Sequence, residues 1–151
     1  MIEKAINKIL STSASLSQVN VSFGVDPQIP NATANPLVKD YIVFYRNTTI
    51  PYDTKTGNAS GTIDLKSGLS TLDEAQIQVN LFSLTALGVA NLAEKVRGVL
   101  DRTSGLYSTV QVQSIQFQNQ VSLFEFNDTY NTKGLYQMTQ FYQCRVEPQY
   151  Q

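Results

Sequence analysis

The chain contains no histidine. That absence removes the Ser-His-Asp and Cys-His nucleophile systems, most zinc sites and the usual proton shuttle near neutral pH. It has a single cysteine, Cys144, so no internal disulfide can form, as expected of a reducing compartment. Cys144 falls in mid-strand on an apolar face and reads as a core residue rather than a nucleophile. Nothing matches a Walker A or dinucleotide loop, so no phosphate cradle is expected. No run of 18 apolar residues occurs, hence no membrane span is expected. The first ten residues, MIEKAINKIL, put charges inside their apolar stretch and lack a signal-peptide h-region. A cytosolic origin follows as an expectation.

Charge is also scarce. Charged side chains make up 15% of the chain, 11 basic against 12 acidic, for a net charge of −1. A typical domain carries about a quarter. No basic block appears, which argues against a dedicated DNA-binding patch. The polar surface must then be built largely from Gln, Asn, Ser and Thr. Neutral amides lose less than ions when covered, so such a surface suits burial against another subunit. A compositional bias toward Gln and Asn gives the same count. Five Asn-X-Ser/Thr triplets begin at Asn20, Asn31, Asn47, Asn58 and Asn127. Without a secretory signal they read as chance rather than as glycosylation sites. Asp73 with Glu74, and Glu125 with Asp128, are the acid pairs that could hold Ca²⁺ or act as acid and base. Their spacing fits no EF-hand loop, and solvated turn carboxylates are the default. No enzymatic activity is expected.

What is present is order. The 151 residues fit one domain, and 42% of them are hydrophobic, enough for a real core. Residues 75–100, AQIQVNLFSLTALGVANLAEKVRGVL, read as a strand that turns directly into a helix. Ile77, Val79 and Leu81 alternate with Gln76, Gln78 and Asn80, the period of a half-buried strand. Val89, Leu92, Val96, Val99 and Leu100 then recur at helical spacing, with Asn91, Glu94, Lys95 and Asp101 opposite. Ser83 or Thr85 can cap that helix, and Gly105 lies near its end.

The rest of the chain is read the same way. Residues 1–16 form an amphipathic helix with Ile2, Ala5, Ile6, Ile9 and Leu10 on one face and Glu3, Lys4, Asn7 and Lys8 on the other. Residues 11–25 are Ser-rich and lose the helical period. Pro27, Pro30 and Pro36 exclude a central strand between 26 and 36. Residues 41–46, YIVFYR, form a short apolar strand covered on both faces. Residues 47–69 are polar and make either a protruding β-hairpin or a long ordered loop. Residues 109–126 are mostly strand, but the phase slips: Val110 and Val112 are even, whereas Ile115, Phe117, Val121 and Leu123 are odd. Either a bulge near Gln113 and Ser114 or a turn near Asn119 accounts for this. Residues 127–134 are dense in turn formers. In the last strand, 135–146, Tyr136, Met138, Tyr142, Cys144 and Val146 share one face. Gln137, Thr139, Gln143 and Arg145 share the other. The sum is a single α+β domain: a mainly antiparallel sheet of four to five strands, two helices packed on one face, and the 47–69 insert.

Among the eight tyrosines, Tyr52 and Tyr130 lie in polar loops. They either anchor a protein interface or pack within their own subunit.

Three stretches carry a resemblance. An amphipathic N-terminal helix is followed by a Pro-rich approach to an aromatic strand, PLVKDYIVF at 36–44. The strand-helix run IQVNLFSLTALGVANLAEKVRGVL comes next. Last is the Gly134-Leu135-Tyr136 entry to the closing strand. In this order the chain resembles the tail-terminator and tail-completion proteins of long-tailed bacteriophages. It departs from them in having Phe82 where Trp is common, a Gln-rich closing strand, and a longer insert. The resemblance implies a structural virion protein made in the host bacterial cytoplasm. It would form a closed ring, usually a hexamer, at the head-tail junction. Such a ring stops tail-tube growth and docks the head connector or a head-completion protein. DNA passes through its lumen without sequence-specific binding, which near-neutral charge would suit. Another neck or tail-tube component, or a small-ligand-binding α+β domain, are the alternatives. The interface candidates are Gln76, Gln78 and Asn80 on the opening strand and Gln137 and Gln143 on the closing strand. Tyr52, Asp53, Lys55 and Lys66 of the insert and Tyr130 complete the set. No cofactor, metal or membrane partner is expected.

Overall fold

The computed structural model describes residues 2–23, 40–52, 72–125 and 135–147. Helix α1 spans Ile2–Thr12, strand β1 Asn20–Phe23, β2 Tyr41–Tyr52 and β3 Leu72–Ser83. Helix α2 spans Ala86–Leu100, β4 Gly105–Tyr107, β5 Val110–Glu125 and β6 Leu135–Val146. The strands form one sheet in the order β1-β2-β3-β6-β5-β4. β1 runs parallel to β2 and every other pairing is antiparallel. The sheet curls into a half-barrel.

Among the described residues the sheet has six strands rather than four to five. The two additions are the edge strands, and both are too short to show a period. β1 sits in the Ser-rich stretch, and β4 is three residues long. β2 continues past Arg46 through a register shift to Tyr52. The first six residues of the expected insert are therefore strand. The remainder, 53–69, lies outside the described residues.

One core holds the two helices to the concave face. It joins Ile6 and Leu10 of α1, Leu92 and Val96 of α2, and Phe44, Ile77, Val79, Leu81, Ile115, Tyr142 and Cys144 of the sheet. α2 lies against β3, β6 and β5, while α1 reaches both edge strands, β1 and β4. α1 thus sits across the open side of the half-barrel. It ends four residues earlier than its pattern suggests. Thr12 turns its hydroxyl onto the Lys8 carbonyl at 2.6 Å, and a single 3₁₀ turn, Ala14–Leu16, follows. Glu3 also departs from expectation. It is buried rather than on the polar face, because Arg46 of β2 reaches it, Nε to Oε1 at 3.0 Å.

The strand-to-helix turn is capped by Thr85, whose hydroxyl accepts the Gly88 N–H at 2.9 Å. A Cβ on Gly88 would press on the Ser83 and Thr85 hydroxyls, so the cap needs glycine there. α2 ends at Leu100 with Asp101 extended, and Gly105, with a φ of 132°, opens β4 instead of capping the helix.

β5 is one continuous strand, not two strands divided near Asn119. Its register against β6 shifts twice, at Gln113 and at Gln118. The first shift is the bulge expected there. The second returns Val121 to the convex face beside Asn119, opposite the side that its odd number implies.

Candidate functional site

Among the described residues no helix lies on the convex face of the sheet; Tyr41, Val43, Asn80 and Thr139 are buried there, while the amides of Gln76, Gln78, Gln116, Gln118, Asn119 and Gln143 are half-buried or exposed. The cross-strand rows of this face follow from the register. Tyr41, Phe82 and Gln137 form one row, and Val43, Asn80, Thr139 and Val121 the next. Tyr45, Gln78, Phe141 and Asn119 follow, then Thr48, Gln76, Gln143 and Gln116. Glu74, Arg145 and Ser114 lie in the row beyond.

Two hydrogen-bonded chains cross these rows. In the first, Gln76 Nε2 donates to Gln118 Oε1 at 3.4 Å, and Gln118 Nε2 donates to Gln143 Oε1 at 2.8 Å. Gln143 Nε2 then donates to Glu74 Oε2 at 2.8 Å, and Arg145 Nε donates to Glu74 Oε1 at 3.0 Å. In the second, Asn47 Nδ2 donates to Gln78 Oε1 at 3.2 Å, and Gln78 Nε2 donates to Asn80 Oδ1 at 3.1 Å. The Thr139 hydroxyl donates to the same Asn80 oxygen at 3.0 Å and accepts from Gln137 Nε2 at 3.3 Å. Tyr41 stacks on Phe82 at the end of the second chain, with ring centroids 4.5 Å apart. A shallow depression lies over the first chain, lined by Thr48, Glu74, Gln76, Gln118 and Gln143.

The one carboxylate in these chains is matched by one guanidinium, so both are electrically neutral. Planar amides offer a donor and an acceptor each, and cross-linking fixes which group points where. A surface of this kind can exchange hydrogen bonds with a partner without stripping water from unpaired ions.

On the concave face two amides pair with each other, Gln140, which is buried, and Gln120, which is exposed. Gln140 Nε2 donates to the Ala93 carbonyl of α2 at 3.0 Å and to Gln120 Oε1 at 2.8 Å, while its own Oε1 accepts the Tyr142 hydroxyl at 2.8 Å. Burial pushes the Tyr142 phenol well above its usual range, and the nearby Asp101 carboxylate adds to the effect. Burial likewise pushes the Cys144 thiol up to about 12, so its thiolate is not formed near neutral pH. Among the described residues, no three His, Cys, Asp or Glu side chains group where they could hold a metal ion. Among them too, no helix is long and apolar enough to cross a membrane.

The structure brings Gln76, Gln78, Asn80, Gln137 and Gln143 together on this one face. Tyr52 is the last residue of β2. Asp53, Lys55, Lys66 and Tyr130 lie outside the described residues. Sequence reasoning missed Asn47, Glu74, Gln118, Thr139 and Arg145 as members of the two chains. Gln118 is the residue that the second register shift extrudes, so a closer reading of the phase slip reaches it. Gln140 carried a signal as well, as the lone amide at an even position between Met138 and Tyr142.

The fold is shared with a chain of a solved structure. This chain aligns with a chain from the virion of a native gene transfer agent particle. The TM-score is 0.58 at 12% identity, over 95% of this chain and 92% of that one. At that identity the likeness is one of fold. A second solved chain aligns over 98% of this chain and 96% of its own length at 14% identity, with a TM-score of 0.47. No protein-family model matches the sequence, and no curated protein matches it.

Proposed function

We propose that this chain is a structural protein of a phage-like virion and that it builds the ring which terminates the tail tube and joins it to the head connector. The observation that carries the reading is the fold shared, over nearly the full length of both chains, with a chain of the gene transfer agent virion. The amide-paved convex face supports it. Five of the ten residues singled out for subunit or partner contact lie on that face: Gln76, Gln78, Gln137 and Gln143 are half-buried and internally bonded, and Asn80 is buried beneath them. Sequence supports the non-enzymatic reading, since the chain has no histidine and no phosphate-binding glycine loop.

In this reading the protein has no catalytic cycle. Its work is to present fixed donors and acceptors to a neighbouring copy, to the tube below and to the connector above. DNA passes the lumen without being gripped, since phosphate binding strengthens with the number of cationic contacts.

The test is a reconstruction of the particle with this chain located along the head-tail axis. A closed ring directly above the last tube layer is the expected result. Density within the tube would favour a tube protein, and density inside the capsid portal would favour a head-completion protein. Absence from the particle would sink the structural reading altogether.

A further inference from the structure

We propose that the upper edge of β5 accepts the β1 edge of a second copy of this chain, so that the sheet continues from one subunit into the next. The proposal rests on the sheet edges and not on the ring's place at the neck.

β5 is 16 residues long, yet β4 pairs with only Val110, Gln111 and Val112. Above that, the segment after α2 caps the edge. The Arg102 N–H bonds the Ile115 carbonyl at 2.7 Å, and the Phe117 N–H bonds the Asp101 carboxylate at 3.0 Å. From Asn119 to Ser122 no further backbone or side-chain cap comes from the described residues. All four residues are exposed, Val121 at 45%. In an antiparallel strand, alternate residues direct their backbone N–H and C=O away from the paired neighbour, here β6.

Proteins usually blunt such an edge with a charge, a proline or a bulge. Residues 111–124 contain neither a charged residue nor a proline. The nearest bulge, at Gln118, precedes the free stretch. From Asn119 onward the pairing with β6 is regular.

The opposite edge of the same sheet is its complement. β1 is four residues long, Asn20–Phe23. The Asn20 N–H bonds the Asp40 carbonyl beside β2, so the backbone groups of Val21 and Phe23 face outward. Residues 17–23 carry no charge, and Phe23 is 51% exposed. Among the described residues, each copy therefore offers an uncharged stretch of edge at each end of its sheet, 119–122 and 20–23, with an exposed apolar side chain in each. That is the arrangement a head-to-tail contact needs. Such contacts close into a ring if the rotation per copy allows it, and the curl of the half-barrel supplies a rotation.

Sedimentation velocity of the full chain over a wide concentration range tests this, with Val121→Lys and Phe23→Lys as edge-blocking variants. Wild type should form species larger than a dimer as concentration rises. Each variant alone should stay monomeric, since an unpaired charge driven into a strand junction weakens association by roughly 100-fold or more. An equimolar mixture should give dimers and nothing larger, because each variant keeps the edge the other has lost. That mixture also reports that both variants are folded, and Asn20→Lys replaces Phe23→Lys if the latter melts early. A wild-type chain that stays monomeric throughout overturns the proposal. So does Phe23→Lys assembling like wild type, or either variant dimerising alone. A particle in which the chain sits elsewhere than the neck would leave this inference standing and remove the ring reading.

Discussion

Gln140 and Gln143 lie three residues apart on β6 and point to opposite faces of the sheet. Each makes hydrogen bonds on both ends of its amide. Gln140 is fully buried, and its partners are a helix carbonyl, a second glutamine and a buried tyrosine. Gln143 is half-buried on the convex face, and its partners are Gln118 and the Glu74 carboxylate. The same chemistry serves two ends. Where water is excluded, an amide fixes α2 on the sheet, because leaving its partners unmatched is costly. Where water can replace any partner, the amide adds little to folding and is free to bond something else.

The sharpest break of this comparison is Gln140→Ala. It removes buried volume and strands the Tyr142 hydroxyl. We expect a loss of about 3 kcal/mol, from the unsatisfied group and the cavity together. Urea unfolding measures it. A loss under 1 kcal/mol would mean that water enters the concave face and that the two faces differ less than their burial suggests.

Alkali probes the same dry face. The Cys144 thiol and the Tyr142 phenol are both raised by folding. In the unfolded chain they ionise near their ordinary values, 9.0 and 10.0, and the unfolded state then binds fewer protons than the native one. Stability from both groups is complete below pH 9 and falls as pH rises toward their folded values. Each group steepens the decline by at most about 1.4 kcal/mol per pH unit. Melting curves between pH 8 and 11 should show the decline, and Cys144→Val should make its first part shallower. A flat profile would place both groups in contact with solvent.

How α2 is held can be divided further. Gln140 grips its middle, and Thr85 caps its start. Thr85→Ala should cost about 1 kcal/mol. Thr85→Ser keeps the hydroxyl and should recover most of that, so the pair separates the cap from packing by the Thr85 methyl.

Much of this was legible in the sequence where residues repeat with a period. The alternation from Gln76 to Leu81 and the helical spacing from Val89 to Leu100 placed β3, α2 and the core stripe between them. Alternation also put Gln137 and Gln143 on the face away from the helices. β1 and β4 were hidden, since a strand of three or four residues has no period to read and gains its place from neighbours. Glu3 was misplaced because its burial depends on Arg46, more than forty residues away in sequence. Gln118 was missed because a bulge residue belongs to neither phase of its strand. Local pattern fixes the sides of an element, while ion pairs and extruded residues are properties of the assembled sheet.

The smallest effect carries the other half of the comparison. Gln143→Ala should change stability by less than about 0.5 kcal/mol, the usual range for surface positions. Glu74 keeps its Arg145 partner, Gln118 keeps Gln76, and water replaces the lost amide. The variant should therefore fold, melt and exchange hydrogen as wild type does. If the convex face serves as a contact surface, the same substitution should still weaken binding to the partner that covers it, because there water no longer stands in for the amide. A stability loss above 1 kcal/mol would instead mark the amide chains as part of what holds the sheet together. The two faces would then share one role, and the case for reserving the convex one for a partner would fail.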